Sequence, residues 1–413
     1  MSPSDRLGAG RYITARAIPD RTVSTPHELT TADGATVSGV LRTVPGARTV
    51  VSLMHPRQDF THHVLVPELL ARGAAVWTQG TRSVNNDINL LHEQAVLDMA
   101  AGQAFLRDAG FDHVVTLGHS GGGTLAALYH QQAALPPDER IAHTPAGRPV
   151  DLPGAELPAP DAVVFMAPHP GQGALLQRLI DPSVTDESDP MSVDPALDPY
   201  SAANGFAPAP RSSTYTGEFI QRYRAAQRAR IARIDAHARQ LAAETTAARR
   251  RFKRSADAAD RRRSLAPRII TVYRTDADPR GVDQSLDPNE RPYGSLLGSR
   301  PDLINYGLTG FGRLSTPQAW LSTWSATATN ADFLRCAPGV TAPALLVELT
   351  GDQASFPADT TAMLSSLGSR DLTHRRVRGL HFGGPIAPGE PTGSALAADA
   401  IGEWLTHRFP LAV

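Results

Sequence analysis

Short runs of apolar, often β-branched residues recur over the first 170 positions and again beyond 340. Residues 49–54, 74–78, 114–117, 161–167 and 344–349 read as strands buried on both faces, and 373–378 as a further short strand. Ahead of them, 27–31 and 35–43 flank Asp33-Gly34, a hairpin turn signal. Between the strands, apolar residues fall at helical spacing. The spacing predicts helices over 61–71, over 92–109 (Ala95, Met99, Ala100, Phe105, Leu106), after Gly121, over 359–367 and over 394–408. Strands alternating with helices imply an α/β fold with a mostly parallel sheet covered on both faces. Residues 1–26, dotted with Arg and Pro, read as an arm lying on the core.

The alternation stops from about 171 to 340. Residues 181–211 are rich in Pro, Asp and Ser and read as loop. Residues 218–263 then carry neither Pro nor Gly, and Ile231, Ile234, Ala238, Leu241, Thr245, Ala248 and Phe252 keep an alternating three-and-four spacing. One continuous helix there would span roughly 69 Å; a two-helix hairpin is the alternative. The stretch holds fourteen Arg or Lys against five Asp or Glu. Three uses compete: a solvated helix packed on its own core, an arm joining a homodimer, or a basic surface for an anionic partner. No interleaved aromatics or nucleic-acid motif favour the last. A strand over 268–273 and a helix over 316–329, with Trp320 and Trp324 on one face, complete the region.

Composition narrows the class. The chain has 413 residues and a formal net charge of −1, which does not suggest a nucleic-acid binder. One cysteine, Cys336, excludes an intramolecular disulfide framework and fits a reducing, cytoplasmic setting. No apolar run reaches membrane-spanning length, so no membrane association is expected. Lys253 is the single lysine, a bias that looks like that of a GC-rich genome.

The chemistry concentrates in Gly118-His119-Ser120-Gly121-Gly122, where a strand pattern meets a helix pattern. G-x-S-x-G between strand and helix makes a sharp turn that lifts the serine out of the sheet. Its glycines let neighbouring chains pass within a Cβ's width, and the helix start offers free N–H groups to a developing negative charge. No metal-ligand spacing such as H-E-x-x-H occurs, and no cofactor is expected.

With that turn, Asp352 in Thr350-Gly351-Asp352 and His381 in Gly379-Leu380-His381-Phe382, the chain resembles the α/β-hydrolases with a serine nucleophile, in their chain order Ser, Asp, His. The resemblance covers 1–170 and 341–413 and implies an α/β-hydrolase core. The block 171–340 then stands where that superfamily inserts mainly helical caps. It implies Ser120 as nucleophile, His381 as base and Asp352 as its orienting acid, with Glu348, Asp359 and Asp332 as fallback acids. Superfamily members often place the acid three residues after the glycine, where this chain has Ala354. An oxyanion hole would use the N–H of Gly121 and one from the loop His55-Pro56-Arg57-Gln58. Proline has no N–H, which leaves Arg57 or Gln58; the Arg57 side chain is also a candidate partner for a substrate carboxylate. Candidate pocket residues are His55, Gln58, His62, His63, His119, His169, Trp320 and Trp324. The ring of His119 is expected to point to the sheet side, and the tryptophans serve either as cap core or as a wall over Ser120. The expected activity is hydrolysis of a small or medium-sized organic ester through an acyl-enzyme. Acyl transfer, thioester, amide and carbon–carbon hydrolysis are open on the same three residues. A non-catalytic scaffold using the basic helix is the alternative of another class.

Overall fold

The computed structural model describes residues 17–412, so the arm expected over 1–26 falls largely outside it. Eight strands form one sheet: β1 (Val23–Thr30), β2 (Thr36–Thr43), β3 (Thr49–Met54), β4 (Ala75–Gln79), β5 (His113–His119), β6 (Ala162–Met166), β7 (Ala344–Leu349) and β8 (Leu372–Val377). Their order is β1-β2-β4-β3-β5-β6-β7-β8. β2 runs antiparallel to both its neighbours, and every pairing from β4 to β8 is parallel. The hairpin closes at Gly34, whose φ of 79° suits a residue without Cβ.

All residues of β3, β4 and β6 are buried, in keeping with their largely apolar sequences. On one face Leu53, Leu117, Val164 and Val347 pack against α1 (Val66–Ala71) and, near the C-terminus, a helix over Gly393–Thr406. On the other, Val163, Phe165 and Leu346 meet α2 (His92–Asp108), α3 (Gly121–Ala134) and a helix over Pro357–Ser366. The expected helix 61–71 is confined to its last six residues. Asp59 accepts from the Thr61 amide and Phe60 from the His63 amide, which curls the chain until Pro67 starts the helix.

Between β6 and β7 the chain adds α4 (Gln172–Leu179), α5 (Gly217–Ser255) and α6 (Ala258–Leu265). The long helix breaks at Ala256, whose φ is +54°, and Asp257 caps α6. Ile231, Ile234 and Ala238 of α5 pack with Leu175, Leu176, Trp320 and Trp324. Beyond Ala238 only Ala248 of α5 is fully buried; Leu241, Thr245 and Phe252 are half-buried. Only Ile270–Thr271 of the strand expected over 268–273 is paired, with Leu314–Ser315. The helix expected over 316–329 is a single turn, Pro317–Ala319, followed by a π-type turn, Trp320–Trp324. It ends because Asp235 of α5 takes hydrogen bonds from Trp320 Nε1, Ser325 Oγ and Thr327 Oγ1, each at 2.7 Å. No helix of the described residues is long and apolar enough to cross a membrane.

Candidate functional site

Ser120 stands between β5 and α3 with φ 57° and ψ −123°, a strained backbone of the kind held at functional sites. The chain crowds to achieve it. A Cβ at Gly118 would lie 2.4 Å from the Gly122 carbonyl oxygen, and one at Gly122 would lie 2.6 Å from that of Met54. Ser120 Oγ lies 2.8 Å from His381 Nε2, and His381 Nδ1 lies 2.8 Å from Asp352 Oδ2. With the proton on Nδ1 facing the carboxylate, Nε2 accepts from the serine hydroxyl. Asp352 Oδ1 in turn accepts from the amides of Ala354 and Ser355, at 2.6 and 3.0 Å. The aspartate thus turns its carboxylate back over the loop that follows it. The fallback acids lie elsewhere. Glu348 pairs with His374 and Arg376, Asp359 with Arg178 and Arg280, and Asp332 caps the turn at Arg335.

Behind His381 the hydrogen bonds form a line. The Leu65 amide donates to His63 Nδ1 at 3.3 Å, His63 Nε2 meets His119 Nδ1 at 2.8 Å, and His119 Nε2 donates to the His381 carbonyl at 2.8 Å. These partners fix each tautomer, because an amide only donates and a carbonyl only accepts. Burial holds both rings neutral: His63 is pushed well below the usual histidine range and His119 down to about 3. His119 therefore belongs to this support and not to a pocket wall, in line with the expected direction of its ring.

The loop after β3 departs from expectation. The amides of Arg57 and Gln58 both donate to the ring of His55, reaching Nδ1 at 3.0 and 2.8 Å. Neither is left to face a substrate oxygen, because the histidine of the same turn consumes them. The Arg57 guanidinium is also engaged. It pairs with both oxygens of Asp87 and lies over Trp324 and Phe311, at 4.7 and 5.2 Å from the ring centres.

A tight cleft with an accessible volume of about 10 Å³ opens at Ser120, lined by His55, Arg57, Gln58, His169, Gln172, Leu175, Leu296, Phe311 and Phe382. His55, Gln58 and His169 are where the sequence placed them. Trp320 and Trp324 do not line it; both are fully buried in the packing between α4 and α5. His62 is exposed, and His63 lies behind His119. Burial takes His169 down to about 3 and His55 well below the usual range, so both rings are neutral. Gln172 was not anticipated. Its one signal was indirect: a polar residue opening a helix at the carboxyl end of a parallel strand. Cys336 is buried and its thiol is pushed up to about 12, which suits packing and not nucleophilic attack.

No protein-family model matches the chain, and no curated protein does. Solved structures do. One is DcsB in complex with its substrate analogue, at 14% identity and TM-score 0.50, covering 93% of this chain and 99% of that one. Another is the α/β hydrolase GrgF from Penicillium sp. sh18, at 12% identity and TM-score 0.44, covering 93% and 96%. A third is the esterase domain of a Rhodothermus marinus protein, at 10% identity and TM-score 0.43, covering 93% and 98%. These are likenesses of fold.

Proposed function

With an α/β-hydrolase fold as the frame, we propose that this chain is a serine hydrolase that cleaves a small or medium-sized organic ester through an acyl-enzyme. The observation that carries the reading is the unbroken hydrogen-bonded line Ser120 Oγ, His381, Asp352 on a strained turn. A serine hydroxyl is a weak nucleophile until a base takes its proton. His381 Nε2 receives that proton as Oγ bonds to the substrate carbonyl carbon, and the carbonyl π pair moves onto oxygen. Asp352 stabilises the imidazolium and holds its tautomer. The first amides of α3 have no intrahelical acceptor, and the Gly121 N–H stands next to the nucleophile to receive the oxyanion. Collapse expels the alcohol, which takes the proton from His381. Water deprotonated by the same nitrogen then releases the acid. Leu175, Leu296, Phe311 and Phe382 give the cavity apolar walls that suit an acyl chain. Three of these, Leu175, Leu296 and Phe311, come from 171–340, which supports reading that block as a cap over the core.

The test is labelling with a broad fluorophosphonate followed by peptide mapping. Adduct on Ser120, absent in S120A and in H381A, is the expected result. An intact, folded protein whose Ser120 stays unlabelled would overturn the reading.

A further inference from the structure

The amides of Arg57 and Gln58, the obvious second donors to an oxyanion, are spent on His55. That bond has a second effect. An imidazole whose Nδ1 accepts two N–H groups carries its own proton on Nε2. His55 is 2% exposed and no hydrogen bond engages its Nε2 among the described residues. The Gln172 side chain is also 2% exposed, and neither its nitrogen nor its oxygen has a hydrogen-bond partner among the described residues. It stands against the ring of His92, in a contact that falls short of full hydrogen-bond geometry. A buried amide without partners costs roughly 1–3 kcal/mol, so its retention at the cavity calls for a ligand.

Both side chains converge on the residue after the nucleophile. A Cβ at Gly121 would lie 2.3 Å from Gln172 Nε2 and 3.0 Å from His55 Nε2. Glycine at 121 is what lets these two nitrogens close on the start of α3. Gln172 Nε2 and His55 Nε2 thus both stand against Gly121, in the cavity that also holds Ser120.

We propose that the oxyanion hole of this chain is completed by side chains, with His55 Nε2–H and Gln172 Nε2–H joining the Gly121 amide as donors to the substrate oxygen. This rests on the serine-hydrolase reading. As Oγ bonds to the carbonyl carbon and its proton passes to His381, the negative charge grows on the oxygen these donors face. A neutral imidazole suits the task, since a full positive charge there would lower the proton affinity of His381 nearby. Burial and the Arg57 charge both press His55 towards that neutral form.

The experiment compares fluorophosphonate labelling rates and p-nitrophenyl acetate turnover for the full chain and three variants. Gln172→Glu keeps the side-chain shape and replaces the NH2 donor with an acceptor. Gln172→Met keeps the volume without hydrogen bonding. His55→Asn lets Oδ1 replace Nδ1 as acceptor for the loop amides and removes the Nε2 donor. Each variant is expected to label Ser120 about a hundredfold more slowly, with kcat lowered and KM little changed. Thermal melting identifies the variants that fold as wild type, and those decide. Wild-type labelling with folded variants reacting within about twofold of it overturns the donor assignment and leaves the serine reading standing. An unlabelled wild-type Ser120 removes both. Loss confined to KM also overturns the assignment, because it marks ground-state binding and not oxyanion stabilisation.

Discussion

The two sides of Ser120 are built on opposite terms. On the base side, hydrogen bonds run from the Leu65 amide through His63 and His119 to the His381 carbonyl, and from Asp352 to the amides of Ala354 and Ser355. On the cavity side, Gln172 and the Nε2 of His92 make no well-formed hydrogen bond among the described residues. Saturated polar groups specify one arrangement and hold it. Unsaturated ones store a cost that a bound group relieves. On the proposed function, the contrast separates the residues that position the chemistry from those left for a substrate.

Asp352→Asn strikes the saturated side hardest. The amide oxygen would keep the Ala354 and Ser355 bonds, and its NH2 would face His381 Nδ1. The ring would then carry its proton on Nε2, the wrong nitrogen for taking one from Ser120. Activity should fall about 10⁴-fold with the fold retained; a loss under about tenfold would show that Asp352 does not set the tautomer.

Acid should weaken the whole assembly. Burial lowers His92 and His130 to about 4 and His119 and His169 to about 3, with His55 and His63 moved the same way. The unfolded chain binds these protons at its ordinary histidine value, near 6.5. Their contribution to stability is therefore complete above about pH 6.5 and is lost as pH falls from there towards 4 and 3. Asp276, raised to about 7 by burial, acts in the opposite sense. His130→Gln isolates one ring, because the amide can still meet Thr116, the partner of His130 Nε2. Urea titrations between pH 6 and 4.5 should show a slope smaller than wild type by up to about 1.4 kcal/mol per pH unit; an unchanged slope would mean that His130 is not held neutral.

The mildest change is His63→Leu. It removes the donor to His119 Nδ1 and leaves that atom buried without a partner. A loss of about 1–3 kcal/mol of stability is expected, together with slower labelling of Ser120 as the His381 backbone loosens. Unaltered melting would show that the line of imidazoles carries no structural load.

Much of this was readable in the sequence because one cause dominates there. Strands buried on both faces are mostly apolar, and β3, β5, β6 and β7 announce themselves so. Ser120, Asp352 and His381 follow strand ends, where a parallel sheet gathers its loops. What stayed hidden depends on side chains chosen by tertiary contact. That His55 would take the Arg57 and Gln58 amides follows from one ring's direction. The Trp320–Trp324 segment gave a helical spacing, but Asp235 pulls its end into a π-type turn across 85 residues of separation. Gln172 looks like any helix-opening polar residue until the space around Gly121 is measured.

The bond from His119 to the His381 carbonyl joins positions 262 apart. During synthesis from the N terminus, Ser120 and its elbow exist long before β8 and the loop behind it have left the ribosome. Until they dock, His119 lacks its acceptor and the serine lacks its base. On the proposed function, the nascent chain thus carries a nucleophile that cannot be switched on, and the same late docking that completes the packing also arms it.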